Sequence, residues 1–218
     1  MTTRLRLADI ANLLVIGLVC FVLLRPNGLL GSYVGARYKE YQARRVIANE
    51  WNDVVRGPRL DANGKAILLV EFSDYECPAC RQQSARLEAA ISSYPELGGI
   101  TYRHFPLSNH VHAEGAARAA ICAEKEGRFL ALHRQLFTTE KWIADTNWAR
   151  EAKAVGIDGT TAFKICMSSV ETTSRLTVDR AMARRLGIGA TPSFVSRTGV
   201  HAGGLLDTSL VRFARGEK

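Results

Sequence analysis

The stretch "VEFSDYECPACRQQ", Val70 to Gln83, contains two cysteines separated by two residues, the first of which is proline. Such a pair can be half of a zinc site, a short structural disulfide or a reactive redox pair. A structural zinc site usually needs a second C-x-x-C pair, and the sequence contains none. A disulfide between residues this close in the chain closes a very small loop and contributes little stability. Redox chemistry is therefore the favoured interpretation.

The position of this pair between a strand and a helix supports redox chemistry. "AILLVEF" (66–72) is a continuous apolar run, as expected for a central strand buried on both faces. A helix is predicted from Pro78 to about Tyr94, with proline at its first position. Cys77 then lies at the N-cap, where free N–H groups and the helix dipole stabilise a thiolate. Cys80, one turn further along, is predicted to be the more buried, resolving thiol.

The remaining elements predict an α/β fold. "GITYRHF" (99–105) alternates like a strand, and helical patterns dominate from Asn109 to Leu186. "PSFVSRTGVHAGG" predicts a hairpin that turns near Thr198 and Gly199, and "DTSLVRFAR" predicts a last helix. The order is one βαβ unit and one ββα unit, with a helical insertion at about 108–187. A C-x-x-C pair beside a βαβ unit is a thioredoxin-like signature.

Four motifs resemble one family in their sequence and in their order. They are "LLVEFSDYECPAC", "YRHFPL", "AEGAARAAICAEKEGRF" and "LGIGATPSFV", the last followed by "GG". On these motifs, residues 58–213 resemble the DsbA-type thiol–disulfide interchange proteins, and more narrowly a bacterial group with one N-terminal anchor. The resemblance implies a thioredoxin fold with a helical insertion. It also implies thiol–disulfide oxidoreductase activity through Cys77 and Cys80, without a metal or an organic cofactor.

The resemblance also implies roles for residues outside the pair. Thr191 and Pro192 match the cis-proline segment that faces the two cysteines and aligns an extended substrate. Glu71 matches the acid that relays protons to and from the buried cysteine, although an ordinary water-exposed acid at a strand end remains an alternative. The chain departs from the best-known oxidases at Ala79, where they have histidine, and this predicts a less oxidising pair.

Two further cysteines, Cys122 and Cys166, lie in the helical insertion. Similar cysteines are joined in part of the family, so the resemblance implies a structural disulfide between them. Two buried free thiols or a second redox site remain alternatives. Such a disulfide would persist only in an oxidising compartment.

The N-terminal segment differs from the rest of the chain. Arg4 and Arg6 precede the apolar run "IANLLVIGLVCFVLL", residues 10–24. Fifteen helical residues span about 22 Å, less than the ~30 Å hydrocarbon core of a membrane. Because no A-x-A-like cleavage site follows closely, a retained signal anchor is favoured. The predicted divisions are an anchor or transmembrane helix (1–25), a juxtamembrane amphipathic helix and linker (26–57) and a thioredoxin-like domain (58–218).

An apolar helical stripe, the net charge and two histidines give expectations about the surface of the protein. The amphipathic stripe Val34, Tyr38, Tyr41, Ala48, Trp51 and Val55 is expected to dock on the domain or on a second copy of the chain. The net charge is +8, but no dense basic run is present, so no nucleic-acid binding is expected. His110 and His112 are expected to face solvent and not to bind a metal.

The leading functional hypothesis is an enzyme that forms disulfides in cysteine-containing exported proteins or peptides. It would be a single-pass protein of the cell inner membrane, with its catalytic domain on the periplasmic, extracytoplasmic side. By family analogy alone, a membrane redox partner would reoxidise it. The alternatives are a reductase or isomerase fed by a membrane electron donor, or a copper-binding module that uses the two cysteines as soft ligands.

Overall fold

A four-stranded mixed sheet forms the centre of the computed structural model, which describes residues 7–25, 28–61 and 64–217. The strands are β1 (Ile67–Ser73), β2 (Gly99–His104), β3 (Ser193–Ser196) and β4 (Gly199–Ala202). Their order across the sheet is β2-β1-β3-β4. β1 pairs parallel with β2 and antiparallel with β3. The predicted βαβ and ββα units are confirmed.

Helices flank the sheet and form the insertion. They are α1 (Leu7–Leu24), α2 (Leu29–Val54), α3 (Pro78–Ser93), α4 (Ala113–Lys125), α5 (Phe129–Thr138), α6 (Lys141–Ala144), α7 (Trp148–Ala154), α8 (Thr160–Ser168), α9 (Val170–Arg185) and α10 (Asp207–Arg215). A 3₁₀ turn occupies Pro95–Leu97. The six helices from α4 to α9 lie between β2 and β3 in the chain. The alanine-rich helical stretch divides at Gly127, whose φ of +67° separates α4 from α5.

The two faces of the sheet are covered by different helices. Because side chains alternate along a strand, Leu69 and Glu71 lie on one face of β1, and Val70 and Phe72 lie on the other. The first face joins the larger core, to which α3, α10 and several inserted helices contribute. The second face packs against apolar residues of α2 and α9, among them Trp51. Cys77 and Cys80 belong to the core on the first face.

Only the C-terminal half of α2 docks on the domain. Ile47, Trp51 and Val54 are buried against the sheet, while Tyr38 and Tyr41 of the predicted stripe are exposed. Of the predicted stripe, Trp51 and the partly buried Val55 contact the domain, whereas Val34 and Ala48 are exposed like the two tyrosines, so the prediction was wrong for most of the stripe. The residues of α2 that pack on the sheet all lie in its C-terminal half, whereas the exposed members Val34, Tyr38 and Tyr41 lie in its N-terminal half.

Arg103 of β2 connects the sheet to α2 and α9. Its Nη1 donates to Asp179 Oδ1 at 2.6 Å, its Nε donates to the Val54 carbonyl at 3.2 Å, and its Nη2 donates to the Asp53 carbonyl. Asp179 also accepts a hydrogen bond from the backbone N–H of His104, at 3.0 Å. Both charged side chains are almost fully buried. The ion pair is thus embedded in a complete set of hydrogen bonds, which a buried pair needs in order to be stable.

The apolar N-terminal run is helical as α1, and its Leu14 and Phe21 side chains are exposed. Arg4 and Arg6, which precede the apolar run of the predicted anchor, lie outside the described residues. Over the part of the chain that the structure describes, no helix has both the length and the apolar character needed to cross a membrane. The predicted membrane helix is not confirmed.

Candidate active site

The two cysteines of the C-x-x-C pair lie at the start of α3, as predicted. Cys77 is the N-cap residue with an extended backbone (φ −74°, ψ 121°), and Pro78 follows as the first helical residue. Both cysteines are thiols in the structure. Cys77 is 7% exposed and Cys80 is completely buried. Cys77 is therefore the sulfur that a substrate can approach.

The segment that begins β3 lies against Cys77. The Thr191–Pro192 peptide bond is cis, as expected from the resemblance. Cys77 Sγ lies 3.5 Å from the Thr191 carbonyl oxygen, to which it donates when it is protonated, across 114 residues of sequence. The fold therefore brings Thr191 and Pro192 to the cysteine pair.

The two thiols differ strongly in acidity. The hydrogen bond from the Cys80 thiol lowers the pKa of Cys77 to about 5, despite the opposing effect of burial. The Thr191 side chain and the backbone N–H groups of Cys80 and Ala79 contribute to this lowering of the pKa in smaller measure. Burial and the bond to Cys77 raise the pKa of Cys80 well above its ordinary value. At neutral pH the pair therefore consists of an accessible thiolate above a buried thiol.

Ala79 affects this site differently from the sequence-based expectation, which rested on its lack of a polar side chain. Its backbone N–H is among the groups that lower the pKa of Cys77. Free N–H groups at a helix start stabilise an anion whatever side chain they carry. The Cys77 thiolate is consequently stabilised without a histidine between the cysteines.

Glu71 lies on β1 within the core and is 0% exposed. Neither of its carboxyl oxygens has a hydrogen-bond partner of normal geometry among the described residues. Burial raises the pKa of Glu71 to about 7, with the Ser73 side chain acting in the opposite direction. The charge of Glu71 is also one cause of the raised pKa of Cys80, so the two groups interact. The alternative of an ordinary exposed acid is wrong.

Cys122 of α4 and Cys166 of α8 form a disulfide with an S–S distance of 2.03 Å and a Cα–Cα distance of 5.9 Å. Cys122 is buried and Cys166 is partly buried. The hydroxyl oxygen of Thr172 lies 3.7 Å and 3.6 Å from the two sulfurs. The disulfide ties together two helices of the insertion.

The expectation that His110 faces solvent was wrong. Its side chain is only 18% exposed, and its Nδ1 lies 2.8 Å from Oδ2 of Asp74. His104 and His133 are buried beside Tyr75 and Tyr102. The His110 contact joins residues 36 positions apart, and no local sequence signal indicated it. Within the described ranges, no group of three or more His, Cys, Asp or Glu side chains is arranged to hold a metal ion.

Comparisons with known proteins agree with this geometry. The family model described as Thioredoxin matches residues 63–200. A Na⁺/H⁺ antiporter NhaA 1 from Mycolicibacterium gilvum is 31% identical over 162 residues, which cover 73% of this chain and 26% of the antiporter. The chain thus spans only about a quarter of the length of the curated relatives that it matches.

Two solved structures are similar over most of the chain. A thioredoxin-like oxidoreductase from Silicibacter pomeroyi is 30% identical, with a TM-score of 0.60, covering 69% of this chain and 87% of the other. The thiol–disulfide exchange protein alpha-DsbA2 from Wolbachia pipientis shares the fold at 17% identity, with a TM-score of 0.67, covering 80% and 95%. The chain belongs to the thioredoxin family, and its fold is that of the DsbA-like thiol–disulfide oxidoreductases.

Proposed function

We propose that this chain is a thiol–disulfide oxidoreductase that forms disulfides in exported proteins through Cys77 and Cys80. The observation that carries the proposal is the asymmetry of the pair, in which the accessible Cys77 has a pKa of about 5 and Cys80 is buried. A group that stabilises the thiolate stabilises the reduced enzyme, and this makes the enzyme disulfide a stronger oxidant. The asymmetry therefore favours oxidation of substrates over their reduction.

The reaction has two exchange steps. A substrate thiolate attacks Cys77 Sγ of the enzyme disulfide, the Cys77–Cys80 bond breaks, and Cys80 leaves with the electron pair. A second substrate thiolate then attacks the substrate sulfur of the mixed disulfide, and Cys77 leaves as a thiolate. The substrate loses two electrons and the enzyme gains them. Because Cys77 is the weaker base, it is the better leaving group.

Glu71 is proposed to serve the first step as the proton donor. The departing Cys80 sulfur is buried, and its pKa is raised far above neutrality, so it must be protonated as it leaves. A carboxyl group with a pKa of about 7 is half protonated at neutral pH and can both give and take this proton. Glu71 then recovers a proton before the next cycle.

Thr191 and Pro192 are proposed to align the substrate. The Thr191 carbonyl already lies at hydrogen-bond distance from Cys77. An extended peptide beside the cis-proline segment would therefore bring its own sulfur close to Cys77 Sγ. Backbone contacts of this kind accept many sequences, which suits an enzyme that acts on varied exported proteins.

The proposed location is the extracytoplasmic side of the inner membrane. The Cys122–Cys166 disulfide supports this placement, because structural disulfides persist in oxidising compartments. Tethering through residues 10–24 and reoxidation by a membrane partner are proposed from the sequence and the family resemblance alone. Fractionation of cells that produce the chain, with and without residues 1–25, tests the tether.

Mild alkylation of the reduced Cys20→Ser protein at pH 7, in which the exposed Cys20 thiol is absent, is expected to label Cys77 well before Cys80. The reason is that Cys77 is a thiolate at this pH, whereas Cys80 is a buried thiol. Peptide mapping by mass spectrometry identifies the labelled residue. In parallel, the oxidised protein should form a disulfide in a reduced two-cysteine peptide, and Cys77→Ser should not. Labelling at Cys80 first, or a fully active Cys77→Ser variant, would overturn the proposal.

Replacing Ala79 with histidine is expected to raise the reduction potential of the pair and to lower the pKa of Cys77 further. The added imidazole supplies a hydrogen-bond donor and, when protonated, a positive charge near the thiolate. A tenfold change in the exchange equilibrium corresponds to about 30 mV for this two-electron couple. Equilibration in glutathione buffers measures the change, with Ala79→Gln as an uncharged control. An Ala79→His enzyme that is no more oxidising would show that the existing donors already saturate the thiolate.

A further inference from the structure

The loop from Leu107 to His112 is fastened to the residues that immediately precede Cys77. Asp74 Oδ2 accepts from the backbone N–H of Leu107 at 2.8 Å and lies 2.8 Å from His110 Nδ1. Glu76 Oε2 accepts from the backbone N–H of His112 at 2.7 Å. The loop is thus held on both sides of Tyr75, next to the active site.

Asp74 is also bonded to the active-site turn itself. Its Oδ1 accepts from the backbone N–H of Glu76 at 2.8 Å, and its carbonyl accepts from the backbone N–H of Cys77 at 3.2 Å. The Asp74 side chain is completely buried, whereas the imidazole of His110 retains 18% exposure. His110 can therefore exchange protons with solvent while its partner remains fixed beside Cys77.

We propose that His110 is a positioning residue of this site, which stabilises the Cys77 thiolate electrostatically through its ion pair with Asp74 and makes that stabilisation depend on pH. The inference deepens the proposed function, since it concerns the same thiolate. A histidine outside the C-x-x-C pair would thus supply the positive charge that the alanine side chain at position 79 cannot.

The charges around His110 determine whether its protonation stabilises or destabilises the Cys77 thiolate. The charged or titratable groups that face it are Asp74, Glu76 and Cys77, and all three are negative when ionised. With a neutral imidazole, the thiolate lies beside two carboxylates whose described hydrogen bonds come from backbone N–H groups and His110 and not from a cationic side chain. Protonation of His110 offsets one of these charges. The Cys77 thiolate is therefore more stable when His110 is cationic.

The pH range in which His110 stabilises the thiolate follows from the pKa values of His110 and Cys77. Burial by itself would lower the pKa of His110, but the hydrogen bond and charge of Asp74, together with the charges of Cys77 and Glu76, raise it above 6.5. The pKa of Cys77 is about 5. Between these values both groups are charged, and the stabilisation is lost as the pH rises through the pKa of His110. Coupling is reciprocal, so converting the thiolate into a disulfide must lower the pKa of His110.

Two titrations of the protein test the proposal without any substrate. The first follows the ultraviolet absorbance of the Cys77 thiolate in reduced protein for wild type, His110→Gln, His110→Lys and His112→Gln. The second follows the His110 imidazole by NMR in reduced and in oxidised protein. Glutamine can still donate to Asp74, so His110→Gln removes the charge and keeps the hydrogen bond. His112→Gln is the matched control, because the described contact of His112 with Glu76 uses its backbone.

The expected results differ between the variants. His110→Gln should raise the pKa of Cys77 by about half a unit, the size expected for charges several ångströms apart near water. His110→Lys should not raise it, and His112→Gln should leave it unchanged. In wild type, the pKa of His110 should be higher in reduced than in oxidised protein.

Two results would overturn the inference: an unchanged pKa of Cys77 in His110→Gln, or the same pKa of His110 in both redox states. The second measurement uses wild type only and therefore does not depend on the folding of any variant. If both titrations give the expected pKa differences but no substrate peptide is oxidised, the proposed function fails while the role of His110 stands.

Discussion

Replacement of both Cys122 and Cys166 by serine is expected to destabilise the protein by up to about 4 kcal/mol while leaving thiol exchange largely intact. The disulfide joins residues 44 positions apart, and closing a loop of this size restricts the unfolded chain by about this free energy. Phe163 is the one fully buried hydrophobic residue of α8 and Met167 adds a partly buried contact, so the disulfide supplies much of the anchorage of this helix. The cysteines at the start of α3 belong to a different element and keep their surroundings.

Thermal unfolding measures this loss. A change of about 4 kcal/mol should lower the melting temperature by roughly 10 °C in a chain of this size. Cys20→Ser is the control, since Cys20 is a free and exposed cysteine, and its melting temperature should equal that of wild type. Peptide oxidation is assayed on the same samples. If the double variant stays folded but loses activity, Cys122 and Cys166 form a second redox site.

Glu71→Gln is expected to stabilise the protein at pH 8 by as much as about 3 kcal/mol and to have little effect at pH 4. The folded protein raises the pKa of Glu71 from 4.5 to about 7, so it binds this proton more tightly than the unfolded chain does. The resulting stability is fully present below pH 4.5 and is lost as the pH rises through about 7. At 1.36 kcal/mol per pKa unit, the loss amounts to about 3 kcal/mol. Glutamine is neutral at every pH, so the variant does not lose this stability as the pH rises.

Denaturant unfolding at pH 4 and pH 8 tests this expectation, with Glu88→Gln as the control. Glu88 makes an exposed ion pair with Arg134, and such pairs contribute less than about 1 kcal/mol. The same Glu71→Gln variant should release Cys80 more slowly from the enzyme disulfide, because it has no proton to give. Equal stabilities of Glu71→Gln and wild type at pH 8 would show that burial does not destabilise the ionised form of Glu71.

The strand and helix that carry the cysteines could be predicted because their signals are local. The apolar run placed at 66–72 is β1 at Ile67–Ser73, and the helix placed at 78 to about 94 is α3 at Pro78–Ser93. Proline at the first helical position defines the start of α3, and with it the N-cap position of Cys77. The hairpin turn near Thr198 and Gly199 follows from the same kind of local signal.

The contacts that could not be predicted join residues far apart in the chain. Asp74 and His110 are separated by 36 residues, and Arg103 and Asp179 by 76. Taken alone, each of these charged or polar residues is of a type that usually lies at the surface in water. Its hydrogen-bond partner becomes evident only from the folded structure. The exposure of Tyr38 is a similar case, because a helix with two apolar stripes does not reveal which of them meets the sheet.

The hydrogen bonds of Arg103 also bear on where the folding unit of this chain begins. Two of the acceptors of the guanidinium are main-chain carbonyls of Asp53 and Val54, which precede the region of family similarity. A shortened polypeptide that began at residue 58 would leave a buried cation with Asp179 alone and would uncover the apolar face of the sheet. We therefore expect the autonomous folding unit to begin upstream, within α2, so that the end of this helix belongs to the folded domain as much as the strands that it covers.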